Sequence, residues 1–346
     1  MHHSFRHALL VSCTGLAALA AAVFGGAAAA QTTLTASSWV PPGHMMHREV
    51  IVPWAAAVEK ASQGRIKVNI LPKGVASPGG HFDAIRDGLA DVSFSIHGYV
   101  PGRFALTKLT ELPFLSDSAE PLSVAYWRMH EKYLAAAGEH KGLKVLALFA
   151  HGPGQIYNNK RAIASAADLA GIKFRVGGGM VNDVGTLIGA NVTLKPAPES
   201  YELMLAGVVD GVFFPSESVD AFKLTNLVKH ATLFPGGLYN TSFVFFMNEA
   251  SFGKLTRQDQ DALMSVSGEG FSRAIGRAWD QRDRDANAAL AKSNVATITA
   301  SPAFVEELNK KTASLEGAWI KDANARGIDG ARVLAEFKDE IKKAAR

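Results

Sequence analysis

A short apolar run carrying one arginine, Ile172-Lys-Phe-Arg-Val176, is followed at once by Gly177-Gly178-Gly179 and then by an amphipathic segment from Met180 to Ile188. A buried strand that ends in glycines and opens a helix is the unit from which open α/β sheets are built, and such sheets bind ligands in the crevice at the carboxyl ends of their strands. Arg175 therefore stands where an anion would be read.

The remainder of the chain repeats the alternation. Thr33 to Ser38 alternates like an edge strand, and Trp39-Val-Pro-Pro-Gly43 makes a turn. His47 to Ser62 is apolar at helical spacing, and Arg65 to Leu71 alternates as a strand again. Gly80 to Ala90 predicts a helix with Phe82, Ile85 and Leu89 on one face, and Asp91 to Ile96 a strand. Pro101 to Leu115 reads as an irregular crossing segment, Ser123 to Ala137 as a helix and Leu143 to Phe149 as a buried strand. Beyond Asp168, which caps or opens a helical turn, come a helix from Glu199 to Ala206, a strand from Val208 to Phe214 and a helix from Ser218 to Leu227. Phe243 to Met247 is apolar enough to be buried on both faces. Strands alternating with helices predict a parallel sheet covered on both sides. From Thr256 onward the pattern is helical only, with one or two long helices between Gln258 and Lys292.

The N-terminus indicates where such a chain works. Arg6 and histidines precede an apolar segment from Leu9 to Ala27, and Ala28-Ala29-Ala30 supplies small residues before Gln31. This is the pattern of a secretory signal peptide over residues 1–30, and it predicts a periplasmic protein. A lipid attached at Cys13 would leave too short a leader, because more apolar core follows it. No other stretch is long and apolar enough to span a bilayer. Cleavage after Ala30 leaves 316 residues without cysteine, enough for two lobes that need no disulfide. Basic and acidic side chains are interspersed and nearly balanced, so nucleic acid is not expected as a partner.

Six further signatures occur in a fixed order: Glu59-Lys-Ala-Ser-Gln-Gly-Arg-Ile-Lys-Val, Ile85-Arg-Asp-Gly-Leu-Ala-Asp-Val, Glu111-Leu-Pro-Phe-Leu, Asp168-Leu-Ala-Gly-Ile-Lys-Phe-Arg-Val, Leu187-Ile-Gly-Ala-Asn and Ala206-Gly-Val-Val-Asp-Gly. Together they resemble the DctP family, the extracytoplasmic solute receptors of tripartite ATP-independent periplasmic (TRAP) transporters, over nearly all of the mature chain. The resemblance implies an α/β, two-lobe periplasmic-binding-protein-like fold with hinge strands and a long helix spanning both lobes. It divides the chain into 31–152 with 242–282 as lobe I and 153–241 with 283–346 as lobe II. It implies a small carboxylate ligand gripped in the interlobe cleft, delivery to the TRAP membrane subunits, no cofactor and no enzymatic activity.

The family's arginine matches Arg175, whose guanidinium would hold a carboxylate through two parallel hydrogen bonds. Three departures bear on the ligand. Phe214, in Val212-Phe213-Phe214-Pro215, replaces an asparagine that contacts ligand in many members. A second arginine in the loop matching Gly152 to Asn158 is missing, with Gln155 the nearest polar substitute. Trp39 stands where sugar-acid receptors have a small polar group. These changes predict an aromatic or otherwise apolar monocarboxylate, walled by Trp39, Tyr239 and one of Phe213 and Phe214, since strand alternation lets only one of the pair face the cleft. His97, at a strand end, is a candidate donor to the ligand. Glu217 is expected to order Arg175 or a water, and Tyr239 and Asn240 to lie near the hinge. The three glycines are expected to let backbone N–H groups approach the anion that Arg175 binds.

Other functions have weaker signals. His44 and His47, with His81 or His97, could be soft metal ligands, but no third ligand is fixed by spacing. A nucleophile elbow, a zinc-protease motif and a phosphate loop are all absent, and the dinucleotide spacing of the glycine run fails at Asn182. A receptor that docks on a sensor kinase would use the same ligand-closed state and is the alternative to a transport role.

Overall fold

The structure, a computed structural model, describes residues 31–346. The proposed signal peptide lies outside the described residues. Eleven strands among these residues form two sheets: β1 (Thr32–Ala36), β2 (Ile66–Ile70), β3 (Val92–Ile96), β4 (Leu143–Ala150), β5 (Gln155–Asn158), β6 (Lys173–Val176), β7 (Asn191–Leu194), β8 (Gly211–Phe214), β9 (His230–Leu233), β10 (Ser242–Asn248) and β11 (Ala296–Thr299). The first sheet has the order β2-β1-β3-β10-β4 and the second β11-β9-β5-β8-β6-β7. This is the two-lobe α/β architecture that the resemblance implies.

The prediction of parallel pairing holds only in part. β1 is parallel to β2 and β3, β6 is parallel to β7 and β8, and β9 is parallel to β11. β10 runs antiparallel to β3 and β4, and β5 antiparallel to β8 and β9. Parallel neighbours need a helical crossover within one sheet. β5 and β10 instead enter directly from the other sheet, β5 through the turn after β4 and β10 through the loop after β9. The two antiparallel strands therefore mark where the chain crosses between sheets.

Three smaller expectations are corrected. β1 is not an edge strand, because β2 takes the edge and β1 lies between β2 and β3. The helix His81–Arg86 stops at Gly88, which turns the chain with φ of 81°, so Leu89 is 60% exposed and not on the buried face. The C-terminal region is not helical throughout. β11 adds to β9 at an edge, and its Ala-Thr-Ile-Thr sequence, mostly exposed, carries no apolar alternation that could have revealed it.

β10 shows why its sequence is almost continuously apolar. Phe243, Phe245 and Met247 pack into a core with Trp54 and Trp279, while Val244 and Phe246 face the opposite core with Phe82. A strand covered on both faces has no side to leave polar. The long helix Gly268–Leu290 packs on the helix Ala119–Met129 and on β4, and also on the short helix Ser216–Ala221 that follows β8. At 1.5 Å per residue its length is about 35 Å, enough to bridge both sheets. The last helix, Gly330–Ala344, packs against Ala119–Met129.

Candidate functional site

Arg175 projects from β6 between β7 and β8, paired with Thr193 and Val212. Its side chain is 2% exposed. Nε donates to the Lys195 carbonyl at 2.7 Å, Nη2 reaches the Tyr99 hydroxyl at 3.5 Å, and the guanidinium carbon lies 4.5 Å above the centre of the Phe214 ring. None of the salt bridges among the described residues involves it. Burial pulls its pKa down, yet a guanidinium stays charged at neutral pH. A buried cation without a counter-ion is costly. Apart from the Nη2 contact with Tyr99, the Nη groups have no hydrogen-bond partner among the described residues, an arrangement that an anion would complete.

Around the guanidinium, residues from both sheets line a small cavity. Its wall is largely aromatic: Trp39, Phe94, Tyr99, Phe214, Phe222, Tyr239, Phe243 and Trp279, with His44, His151, Ser218 and Thr241 as polar members. Trp39 is fixed by a hydrogen bond from Nε1 to the Phe94 carbonyl at 2.9 Å and by packing on Phe94 and Tyr99. Phe214 is held between the guanidinium and Phe222, with which it stacks at 5.8 Å.

Among the candidate residues, Arg175, Trp39, Phe214 and Tyr239 come together in this cavity. Phe213 points to the other face of β8 and packs on Phe174, as alternation requires of one of the pair. His97 is not a cavity residue. It is buried behind β3, with Nδ1 facing the Ser242 carbonyl and hydroxyl and Nε2 facing His140 Nε2 at 2.9 Å, because the chain turns at Gly98 and carries Tyr99 into the cleft instead. Gln155 lies in a separate pocket near Asp280 and Asp283, and its carbonyl oxygen accepts from the Phe234 N–H.

Glu217 does not order Arg175. Its carboxyl sits behind His44, 3.7 Å from Nε2, and accepts from the Ser218 hydroxyl at 2.9 Å. Burial raises Glu217 to about 8 and lowers His44 to about 4, so at pH 7 this is a contact between two neutral groups and not an ion pair. Asn240 stands at the crossing into β10, where its amide, assigned with the nitrogen toward the carbonyls of His151 and Gly152, donates to them at 3.0 and 3.1 Å and ties down the turn between β4 and β5.

Only Gly177 of the glycine run lines the cavity. Gly178 and Gly179 serve a different contact: a Cβ on Gly178 would fall 2.4 Å from the Gly98 carbonyl oxygen, and one on Gly98 would fall 2.6 Å from Gly179 N. The glycines therefore let the loop after β3 and the loop after β6 touch across the cleft. The N–H of Met180 at the helix start is already taken by Glu111 Oε2 at 2.8 Å. Glu111 Oε1 accepts from the Ser242 N–H at 3.1 Å and from its hydroxyl, which ties the first residue of β10 to that helix.

Tyr99, His151 and Trp279 were missed by sequence reasoning. Tyr99 follows a strand as an ordinary aromatic, Trp279 sits in a charged helix, and His151 belongs to a Gly-Pro-Gly turn. The one available signal is that β3, β4 and β6 all end at the same cleft, so the residues just after each strand are candidates. Among the described residues no group of three or more His, Cys, Asp or Glu is arranged to hold a metal ion.

The family profile described as "Bacterial extracellular solute-binding protein, family 7", DctP, matches residues 36–321. The chain belongs to the DctP family of TRAP solute-binding proteins. Its fold superposes with a TM-score of 0.88 on a TRAP periplasmic solute-binding protein of Bordetella bronchiseptica with bound (R)- and (S)-mandelate, at 46% identity over 90% of this chain and 99% of that one. A TRAP solute-binding protein of Rhodoferax ferrireducens in complex with copurified benzoate gives 0.85 at 30% identity, covering 91% and 99%. The protein TsaT of Comamonas testosteroni, described as an outer membrane transporter protein, is 31% identical over 327 residues, 94% of this chain and 96% of its own. Like other DctP proteins the chain is a solute receptor and not an enzyme, and the family is periplasmic. No helix among the described residues is long and apolar enough to cross a membrane.

Proposed function

We propose that this DctP protein is a periplasmic receptor, exported by residues 1–30, that binds an aromatic monocarboxylate in the interlobe cleft and delivers it to the TRAP membrane subunits. The observation that carries the proposal is Arg175: a buried guanidinium with no acidic partner among the described residues, lying over Phe214 in an aromatic cavity. The carboxylate takes the free Nη groups, each charge-assisted bond contributing about 1.5–3 kcal/mol. The ring packs between Trp39, Phe214 and Tyr239, which would leave the hydroxyls of a sugar acid unpaired. The mandelate and benzoate held by related receptors support this class.

Closure follows from the same residues. Arg175 and Phe214 come from the second sheet, Trp39 and Tyr99 from the first, so a ligand that touches both groups favours the closed arrangement by its extra contacts there. A thermal-shift panel of aromatic monocarboxylates, sugar acids and dicarboxylates tests the ligand class. Stabilisation by sugar acids or dicarboxylates alone would sink it. Arg175→Ala should weaken aromatic carboxylate binding by about a hundredfold or more, since each 1.4 kcal/mol is tenfold, with unchanged circular dichroism.

A further inference from the structure

We propose that His151 and Trp279 form a subsite that reads a hydroxyl on the carbon next to the ligand carboxylate, which makes the preferred ligand an aromatic 2-hydroxy acid. The inference rests on the placement of the carboxylate at Arg175.

One polar atom on each of two cavity-wall residues, Trp279 Nε1 and His151 Nε2, has no hydrogen-bond partner among the described residues. Trp279, 2% exposed, leaves its indole Nε1–H unpaired. His151, 4% exposed, directs Nδ1 at the Gly152 carbonyl. That contact requires a proton on Nδ1, and burial lowers the ring to about 4, so the imidazole is neutral and Nε2 is a bare acceptor without a protein partner. The two rings line one cavity with centroids 6.0 Å apart. Buried polar groups are nearly always paired, and an orphaned donor carries its full desolvation cost until something accepts from it.

The pair supplies one donor and one acceptor. A hydroxyl is the smallest ligand group that satisfies both, since it accepts from the indole and donates to the imidazole. A carbonyl answers only the indole, a methyl answers neither, and an ammonium would be repelled by the nearby guanidinium. The position on the ligand follows from the neighbours of His151. Its ring stands perpendicular to Tyr239 at 5.5 Å, and both residues line the same small cavity as Arg175. The subsite is therefore at the carboxylate end of the cavity, and the hydroxyl belongs on carbon 2.

Mandelate and phenylacetate differ by this hydroxyl alone, so titration calorimetry of the two acids on the full protein and on Trp279→Phe and His151→Phe tests the subsite. The native protein should prefer mandelate by about tenfold or more. Each variant should bring the ratio toward one, with an unchanged circular dichroism spectrum and retained phenylacetate binding to show that it is folded. Equal binding of the two acids by the native protein, or a preference that survives in both variants, overturns the subsite. Binding of neither acid would sink the carboxylate reading as well, and is distinct from equal binding.

Discussion

Asp280 and Asp283 stand three residues apart on the long helix Gly268–Leu290, and each caps a helix from a different half of the molecule. Asp280 accepts from Ala119 N at 2.6 Å, Glu120 N at 3.1 Å and the Ser118 hydroxyl, at the start of Ala119–Met129. Asp283 accepts from Glu217 N at 2.7 Å, at the start of Ser216–Ala221 beside the cavity. A carboxylate at a helix N-terminus satisfies orphan N–H groups and complements the helix dipole. One rigid helix thus holds an element of each half in place, at the level of the hinge.

Replacing Asp280 with alanine should lower stability by about 1–2 kcal/mol, the usual cost of a lost N-cap. Urea unfolding measures this directly. An unchanged midpoint would mean that water replaces the carboxylate without loss.

Tyr99 supplies a hydrogen-bonded contact across the cleft. Its oxygen accepts from Ala197 N at 2.9 Å and from Arg175 Nη2 at 3.5 Å, which leaves its own proton free for the ligand carboxylate. Tyr99→Phe removes that donor and leaves the Ala197 N–H unpaired. Aromatic carboxylate affinity should fall about tenfold, read by calorimetry, and an unchanged dissociation constant would remove Tyr99 from the site.

Much of this arrangement was legible in the sequence, and the illegible part has a physical cause. Arg175 stood out because a charged residue inside an apolar strand has few structural uses. Phe214 was separable from Phe213 only as one of two, because alternation gives the faces and not which face meets the cleft. Tyr99, His151 and Trp279 reach the cavity from three elements far apart in the chain. Nothing local distinguishes them from ordinary core residues. His97 misled because a strand end near a cleft can turn either way, and Gly98 sends the next residue in and His97 out. β11 escaped because an exposed four-residue edge strand needs no apolar pattern to pair.

The approach of Gly98 to Gly178 and Gly179 makes closure sensitive to a single methyl. An alanine Cβ at Gly98 would lie 2.6 Å from Gly179 N and 2.7 Å from the Gly178 carbonyl, and backbone cannot yield as a flexible side chain can. Gly98→Ala should therefore hold the halves apart while leaving each sheet intact. Small-angle scattering should show that saturating ligand no longer reduces the radius of gyration as it does in the native protein. Identical compaction would show that the loops separate without cost.

The buried carboxyls next to the cavity set a pH dependence whose direction is fixed by their environment. Burial raises Glu217 to about 8, with Asp283 adding to the effect, and burial raises Asp283 to about 7. Their unfolded values are near 4. Between those limits the folded chain binds protons that the unfolded chain has released, so these groups make stability fall as pH rises. The buried histidines act oppositely: His44, His130 and His151 are lowered to about 4 and His97 to about 3, so their contribution is lost as pH falls from 6.5 toward 4. Above about 7.5, a unit beyond the unperturbed histidine value, these imidazoles are almost wholly neutral in both states and add little slope. The melting temperature should therefore decline between pH 7.5 and 8.5, and Glu217→Gln, which cannot ionise, should flatten the decline. A melting temperature that is level or rising over this window, or an equal slope in the variant, would show that Glu217 is already ionised in the folded protein.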